Sequence, residues 1–391
     1  MSFTIDRNQL LENVIQFIRK KYVLVFLFNF FLRLIIKLPI YVIASIVYDE
    51  SFSMLDHYAD IAMTWYVGLP LKEARQFIFM PFLIQVFSLN FFISPYLTWL
   101  MIEITGYSAG FAIIFHLLNK RMEDWGINKP ENFFALYIFS NLLFPVSYLK
   151  WTQAFGLLLM LVSLTIYFMF EDKIHFSLIF AILSALTHFY GWIFVSILFL
   201  YAYKDIRYLQ FFMPTLFVLL QFLFFYIRTG DFFLYFHALE AYGEHSFYPF
   251  SWVITYWANL TTDLYLAIVY ISQLISIAMT IAYLYYYIKN KHIDRLNLLI
   301  LVFFIFVQLI TGPGPRELSR YFVLILPFCV ILLLCKFMGS ISTKKLTILI
   351  ALLCIVNIFL IWYLIIADFL YVSDLGVIYE KASSYLLRKI S

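Results

Sequence analysis

Apolar stretches of spanning length follow one another along this chain, and no polar segment between them is long enough to fold by itself. A helix needs about 20 apolar residues to cross a hydrocarbon core about 30 Å thick. Eleven such stretches lie near residues 22–48, 97–118, 132–148, 154–170, 175–188, 190–203, 208–228, 260–288, 296–311, 321–337 and 346–368. They predict a single all-α, polytopic integral membrane domain covering residues 1–391, with 1–21 as a cytoplasmic N-terminal segment. Residues 175–203 are long for one helix and short for two, and Thr187 to Gly191 reads as a break. Composition agrees: only 13% of residues are charged, where soluble domains carry about 25%. That balance excludes a disordered tail, a disulfide scaffold and a large soluble catalytic domain.

Placement of charge says more than the net +4, which is too small to suggest a nucleic-acid partner. With the N-terminus inside, the short inner segments hold 16 Lys and Arg and the outer ones 9, so the positive-inside rule favours that orientation. The first apolar run is too long for a cleavable signal and ends at Asp49-Glu50 with no small-residue cleavage site, so it is expected to be the first span. Cys329, Cys335 and Cys354 all lie inside apolar runs and read as small buried hydrophobes. Asp49, Glu50, Asp56, Asp60, Glu73, Asp231, Glu240, Glu244, Asp263 and Glu317 fall on the outer side. Acids do little to set topology, so their gathering there asks for a functional reason.

Two outer loops are long enough to hold structure. In the first, residues 49–96, the side chains Met54, Leu55, Tyr58, Ile61, Ala62 and Trp65 recur at helical spacing, with Asp56, Asp60 and Thr64 opposite. That pattern predicts an interfacial helix with its acids turned to water. The apolar stretch 77–94, closed by Pro81 and Pro95, is expected in the same layer or partway into the membrane. The second loop, 229–258, is rich in aromatics and carries Asp231, His237, Glu240, Glu244 and His245.

Several short motifs resemble one group of enzymes. His57-Tyr58-Ala59-Asp60-Ile61-Ala62, followed by Phe79-Met80-Pro81, is similar to the first lumenal loop of the GPI mannosyltransferase 2 (PIG-V-like) group. These belong to the GT-C glycosyltransferases, which use a lipid-phosphate sugar donor. Pro145-Val146-Ser147 and Trp151-Thr152-Gln153-Ala154-Phe155 resemble the group's Pro-x-Ser and Tyr-Thr-Glu…Phe stretch. Ala185-Leu186-Thr187-His188-Phe189-Tyr190-Gly191 resembles its Ala-Leu-Thr-Arg-x-x-Gly. Gly230-Asp231 with Phe236 and Ala238, and Arg320-Tyr321 with Pro327, complete the series in the group's order, over about residues 45 to 330. There are departures. The group's acid three positions before His57 falls on Met54, its arginine is His188 and its glutamate is Gln153.

The resemblance implies a GT-C-like fold and transfer of a hexose, mannose above all, from polyprenyl or dolichyl phosphate to an outer-facing glycan, glycolipid or glycoprotein. Such a transfer needs a general base for the acceptor hydroxyl, and cationic donors for the departing lipid phosphate. The candidate bases are Asp56, then Asp49, then Glu50. Arg320, Arg316, His188 and Lys150 are the candidates for the donor phosphate. Asp60, His57, Tyr58, Gln153, Asp231 and Tyr321 are candidates for positioning acceptor or substrate. No cofactor is certain; a second acid can orient the acceptor or hold a divalent metal. The Lys-, Ile- and Phe-rich composition fits a low-GC microbe or archaeon, hence the plasma membrane first and the endoplasmic reticulum second.

Each residue also has a plain structural reading. Asp56 and Asp60 can be a solvated helix face, and Asp49-Glu50 can end a span at the headgroups. Arg316 and Arg320 can snorkel, although they follow the rigid Gly312-Pro313-Gly314-Pro315 turn. Lys150 can anchor at the interface beside Trp151, and His188 can be a neutral hydrogen-bonded side chain. Arg33 and Lys37 lie four residues apart inside the first span. Intramembrane cations cost about 2.5–3.5 kcal/mol each on insertion scales, so they are expected to face protein, lipid phosphate or a wet cavity. The Asn259-Leu260-Thr261 sequon carries no weight. Two other classes stay open. A lipid or glycolipid transporter would place paired ionisable groups within the bilayer and show related halves. A non-catalytic subunit of a glycosylation complex would show lost motif residues such as the acid missing at Met54.

Overall fold

A computed structural model describes residues 20–47, 57–67, 77–89, 92–123, 129–142, 154–241, 274, 277–286, 289, 299–303, 305 and 326–372. Every regular element among them is helical. In chain order these are α1 (Lys21–Val47), α2 (His57–Thr64), α3 (Phe79–Phe87), α4 (Pro95–Arg121), α5 (Phe133–Leu142), α6 (Phe155–Phe170), α7 (Ile174–Thr187) and α8 (Phe189–Ser196). Two 3₁₀ helices (Ile197–Tyr203 and Ile206–Phe212) then lead into α9 (Met213–Thr229) and α10 (Leu234–Ala241). Further on come α11 (Leu326–Met338) and α12 (Thr343–Val372).

Among the described residues, three stretches are long and apolar enough to cross a bilayer: Lys21–Pro39, Pro95–Arg121 and Ile206–Thr229. Shorter apolar helices, among them α5, α6 and α7, pack between them. The chain therefore has the make-up of a membrane protein. Parts of the stretches near 132–148, 260–288, 296–311 and 321–337 lie outside the described residues, so the eleven expected crossings are not all traced.

Helix α4 is the axis of the bundle. Pro95 opens it at the first helical position, where a missing N–H costs nothing. Its apolar surface is closed on two sides by α1 and α6. Against α1 it runs antiparallel, with the Tyr22 ring edge-on to His116 at 5.3 Å and the Arg33 guanidinium 3.9 Å over the Tyr107 ring. Against α6 it runs parallel and much closer. Gly106 and Gly110 on α4 face Gly156 and Leu159 on α6, and a Cβ on any of the three glycines would run into the other helix. With lipid outside and no water to expel, helices in a membrane gain mainly from such backbone approach.

From α6 the chain doubles back at Glu171-Asp172 into α7, with Phe168 stacked on Phe176 and Phe180 and Ser177 Oγ donating to the Thr165 carbonyl at 2.7 Å. The expected break falls at His188, whose φ of −161° and ψ of 147° interrupt the helix between α7 and α8. Two short antiparallel pieces result, not one span, and Gly191 lets them touch at the Ser184 carbonyl. Gly230, at φ 79°, stops α9 in the left-handed conformation that glycine adopts without strain. Asn357 Nδ2 of α12 donates to the Leu142 carbonyl at the end of α5, and Asn132 Nδ2 to the Ile341 carbonyl.

The bundle has two unlike ends. One gathers Lys20, Lys120, Arg121, Lys173, Lys204 and Arg207 together with Glu171, Asp172 and Asp205. There Lys120 pairs with Glu171 at 2.6 Å, and Arg207 bridges Asp172 and Asp205 at 3.0 and 2.8 Å. The other end, the loop end, holds α2, α3 and α10 and the starts of α4, α6 and α8.

Two outcomes test this arrangement. Replacing Gly156 by Val forces α6 off α4; overpacking of this kind costs about 1–3 kcal/mol, and thermal unfolding in detergent should show a clear loss of midpoint. At the basic end, the hydrogen bond from Lys120 holds the Glu171 carboxyl below the ordinary glutamate range, with burial acting the other way. A carboxyl acidified by folding contributes stability that is complete above its unfolded pKa and is lost as pH falls through the folded one. Stability of the wild type should therefore fall below the ordinary glutamate range, and Glu171→Gln should flatten that part of the profile in a pH series of unfolding midpoints.

Candidate functional site at the loop end

Helix α6 starts lower in the bundle than α4. Glu103, eight residues into α4 and so about 12 Å from its start at 1.5 Å per residue, meets the first turn of α6. Its Oε2 accepts from Gly156 N at 2.8 Å and its Oε1 from Leu157 N at 3.4 Å. A helix start leaves N–H groups with no partner within the helix, and at this buried start no solvent is at hand to supply one. The carboxylate does so here, on the positive end of the helix dipole.

Arg33 and Lys37 are buried to 1% exposure or less, as is Glu103. Both cations interact electrostatically with the Glu103 carboxylate. Arg33 also covers Tyr107, and Lys37 Nζ lies 5.6 Å from the same ring. Of the destinations expected for these cations, protein is the one observed. Glu103 itself is the residue that sequence reasoning missed, since the acids were assigned to outer loops. Its visible signal was a lone acid inside an apolar helix three residues before the Gly106-x-x-x-Gly110 pair.

His188 sits at the same end. Its Nδ1 accepts from Tyr190 N at 3.2 Å, capping α8, so that nitrogen carries no proton and the ring is held in one tautomer. The ring packs at 4.9 Å from Phe155, the first residue of α6, and 5.6 Å from Tyr190. The adjoining Phe189 contacts Tyr235 at 5.6 Å and Phe236 at 6.0 Å on α10. Three segments distant in sequence thus converge: the one ending at Phe155, the one around His188 and the one that follows Gly230-Asp231.

The first loop docks on the same layer. Helix α2 begins at His57, and Ile61 and Ala62 are fully buried as the pattern predicted. Tyr58 and Asp60 lie on its first turns. It ends at Trp65 and Tyr66, both at positive φ (51° and 70°), a strained conformation for large side chains. Arg228 Nε donates to the Trp65 carbonyl at 3.3 Å, and Tyr66 packs on Phe225 at 5.0 Å. In α3, Met80, Pro81 and Ile84 are buried. Pro81 lies within the first turn of α3, where the sequence had suggested an end to the segment. Ile78 N donates to Gln221 Oε1 at 3.3 Å, and Phe77 meets Tyr235 at 4.9 Å, so α3 is seated against α9 and α10.

Asp231 lies in the turn between α9 and α10. Its Oδ1 accepts from Phe233 N at 2.9 Å and its Oδ2 lies 2.8 Å from His237 Nδ1. The candidates Asp49, Glu50, Asp56, Lys150, Gln153, Arg316, Arg320 and Tyr321 lie outside the described residues. Among the described residues no group of three or more His, Cys, Asp or Glu is placed to hold a metal ion. In comparisons with protein-family models, curated proteins and solved structures, nothing matches this chain.

The Glu103 contact can be tested directly. Removing one partner of a buried ion pair costs about 3–5 kcal/mol because the other charge is left behind. Glu103→Leu should therefore lower the thermal midpoint severely or prevent folding. Glu103→Gln, which still accepts a hydrogen bond from Gly156 N, should fall between Leu and wild type in the same melt.

Proposed function

We propose that this chain is an integral-membrane glycosyltransferase of the GT-C type. It transfers a hexose, mannose by the resemblance, from a polyprenyl or dolichyl phosphate to a glycan, glycolipid or glycoprotein acceptor. The observation that supports this reading is the convergence at the loop end. Phe155, His188 and Phe236 belong to three segments that each resemble a separate GT-C motif, and their rings and immediate neighbours pack in one layer. The first-loop motif His57-Tyr58-Ala59-Asp60 opens a helix docked on that layer.

On this reading the N-terminus is cytoplasmic and the loop end faces outward or into the lumen, in a plasma membrane or in the endoplasmic reticulum. Membrane lipids surround the bundle and supply the donor. Arg320 with Arg316 neutralises the phosphate as it leaves, and Lys150 and His188 stand as further phosphate partners. Tyr321, Gln153 and Asp60 position sugar or acceptor.

A second reading has one observation in its favour. Arg33, Lys37 and Glu103 are ionisable groups buried within candidate spans, as a lipid or glycolipid transporter would require. A non-catalytic subunit is the third. One assay separates them. Purified full-length protein in lipid nanodiscs is given dolichyl-phosphate [¹⁴C]mannose and an alkyl mannoside, and labelled product is counted. The enzyme reading expects labelled disaccharide. Lipid movement in proteoliposomes without transfer would support the transporter, and neither activity would support the subunit.

A further inference from the structure

We propose that Asp231 and His237 form the general-base pair of the transfer reaction, with His237 Nε2 receiving the proton of the acceptor hydroxyl. The proposal rests on the glycosyltransferase reading and names a proton acceptor that the resemblance assigns elsewhere, to the acids of the first loop.

The pair is built, not incidental to a flexible surface. Gly230 turns the chain out of α9 in the left-handed conformation. The next residue, Asp231, donates its backbone N–H to Thr229 Oγ1 at 3.2 Å and accepts from Phe233 N with Oδ1 at 2.9 Å. Those two bonds fix the carboxylate, and its second oxygen lies 2.8 Å from His237 Nδ1. His237 N in turn donates to the Phe233 carbonyl at 3.1 Å. A carboxylate behind Nδ1 selects the tautomer with the proton on Nδ1 and the lone pair on Nε2. It also stabilises the imidazolium that forms when Nε2 is protonated.

Access and position agree with that role. The His237 side chain is 51% exposed, whereas the Arg33, Lys37 and Glu103 cluster is sealed. Its helix α10 is anchored at the loop end through Tyr235 on Phe77 and Phe189, and through Phe236 on Phe189, the residue after His188. The pair is thus carried by the same aromatic layer as the candidate site.

The step balances without a metal or redox partner. The acceptor O–H bond breaks and its proton passes to His237 Nε2. The oxygen lone pair forms the new bond to the anomeric carbon. The bond from that carbon to the phosphate oxygen breaks, and its electron pair leaves with the lipid phosphate. The proton returns to solvent from the exposed imidazole.

The competing explanation is a turn in which Asp231 caps α10 and the histidine merely pairs with it. Capping uses Oδ1 and needs no imidazole, and an exposed ion pair contributes about 0–1 kcal/mol to stability. The two accounts therefore differ in what removal of His237 does. The experiment uses full-length protein in nanodiscs, dolichyl-phosphate [¹⁴C]mannose and an alkyl mannoside. His237→Gln should lower kcat by about 10²–10⁴, the range for loss of a general base, with the donor KM and the thermal midpoint near wild type. His237→Ala should regain transfer when imidazole is added to the assay. Normal kcat in His237→Gln overturns the proposal, and so does lost activity that imidazole does not restore. Should His237→Gln stay active while Asp56→Asn or Asp49→Asn is dead, the base belongs to the first loop. A wild type with no transfer brings down the glycosyltransferase reading itself, and the base pair with it.

Discussion

A helix that begins buried inside a bundle needs something to receive its first N–H groups, and Glu103 is that something for α6. The carboxylate reaches Gly156 N and Leu157 N only because α4 and α6 are in backbone contact at Gly106, Gly110 and Gly156. Side chains at those three positions would separate the helices and withdraw the carboxylate from the helix start. Burying Glu103 then requires opposite charge nearby, and Arg33 and Lys37 on α1 provide it. The packing of α1, α4 and α6 is in this sense one interaction. A glycine seam permits the carboxylate contact, and the carboxylate justifies two cations that hydrocarbon would otherwise exclude.

The remainder of the loop end is built on where that interaction places the start of α6. Phe155 stands directly before Gly156, so its ring is fixed against His188. His188 is itself the corner between α7 and α8, held by its own bond to Tyr190 N. Phe189 then carries the contact outward to α10, and Phe77 and Tyr66 bring in the first loop through Tyr235 and Phe225. Aromatic rings suit this task because their large faces bury area without needing polar partners. The chain spends many of its aromatic residues there, and the loops gain fixed seats on a bundle whose sides are greasy and featureless.

Much of this is legible in the sequence. The long apolar runs predicted helices, the Thr187 to Gly191 stretch marked the corner at His188, and Ile61 and Ala62 gave the buried face of α2. These signals are local: each is written within a turn or two of helix. Glu103 was not legible in the same way, because its partners Gly156 and Leu157 are more than 50 residues away in sequence. Pro81 differs for a local reason. Proline reads as a boundary, yet in the first turn of a helix it removes an N–H that had no partner within the helix. Asp231 was singled out by resemblance, but its coupling to His237 depends on the turn from Asp231 to Phe233 and the first turn of α10, which together bring residue 237 back beside residue 231.

Two sets of ionisable groups near one end of a membrane bundle invite the question of which one does chemistry. The Arg33, Lys37 and Glu103 set has the stronger electrostatics, since all three are buried and a low dielectric magnifies every interaction among them. Strength of interaction is not access, however. In the transfer proposed above, a sugar-phosphate headgroup and an acceptor hydroxyl must both reach the reacting atoms, and Glu103 already gives both oxygens to backbone N–H groups. The buried set is better suited to fixing the start of α6 than to taking up a substrate. The loop-end set has an imidazole half exposed to solvent and a carboxylate held behind it. Rigidity and exposure are different requirements, and this chain meets them with different residues: Glu103 is buried, while the His237 side chain is half exposed.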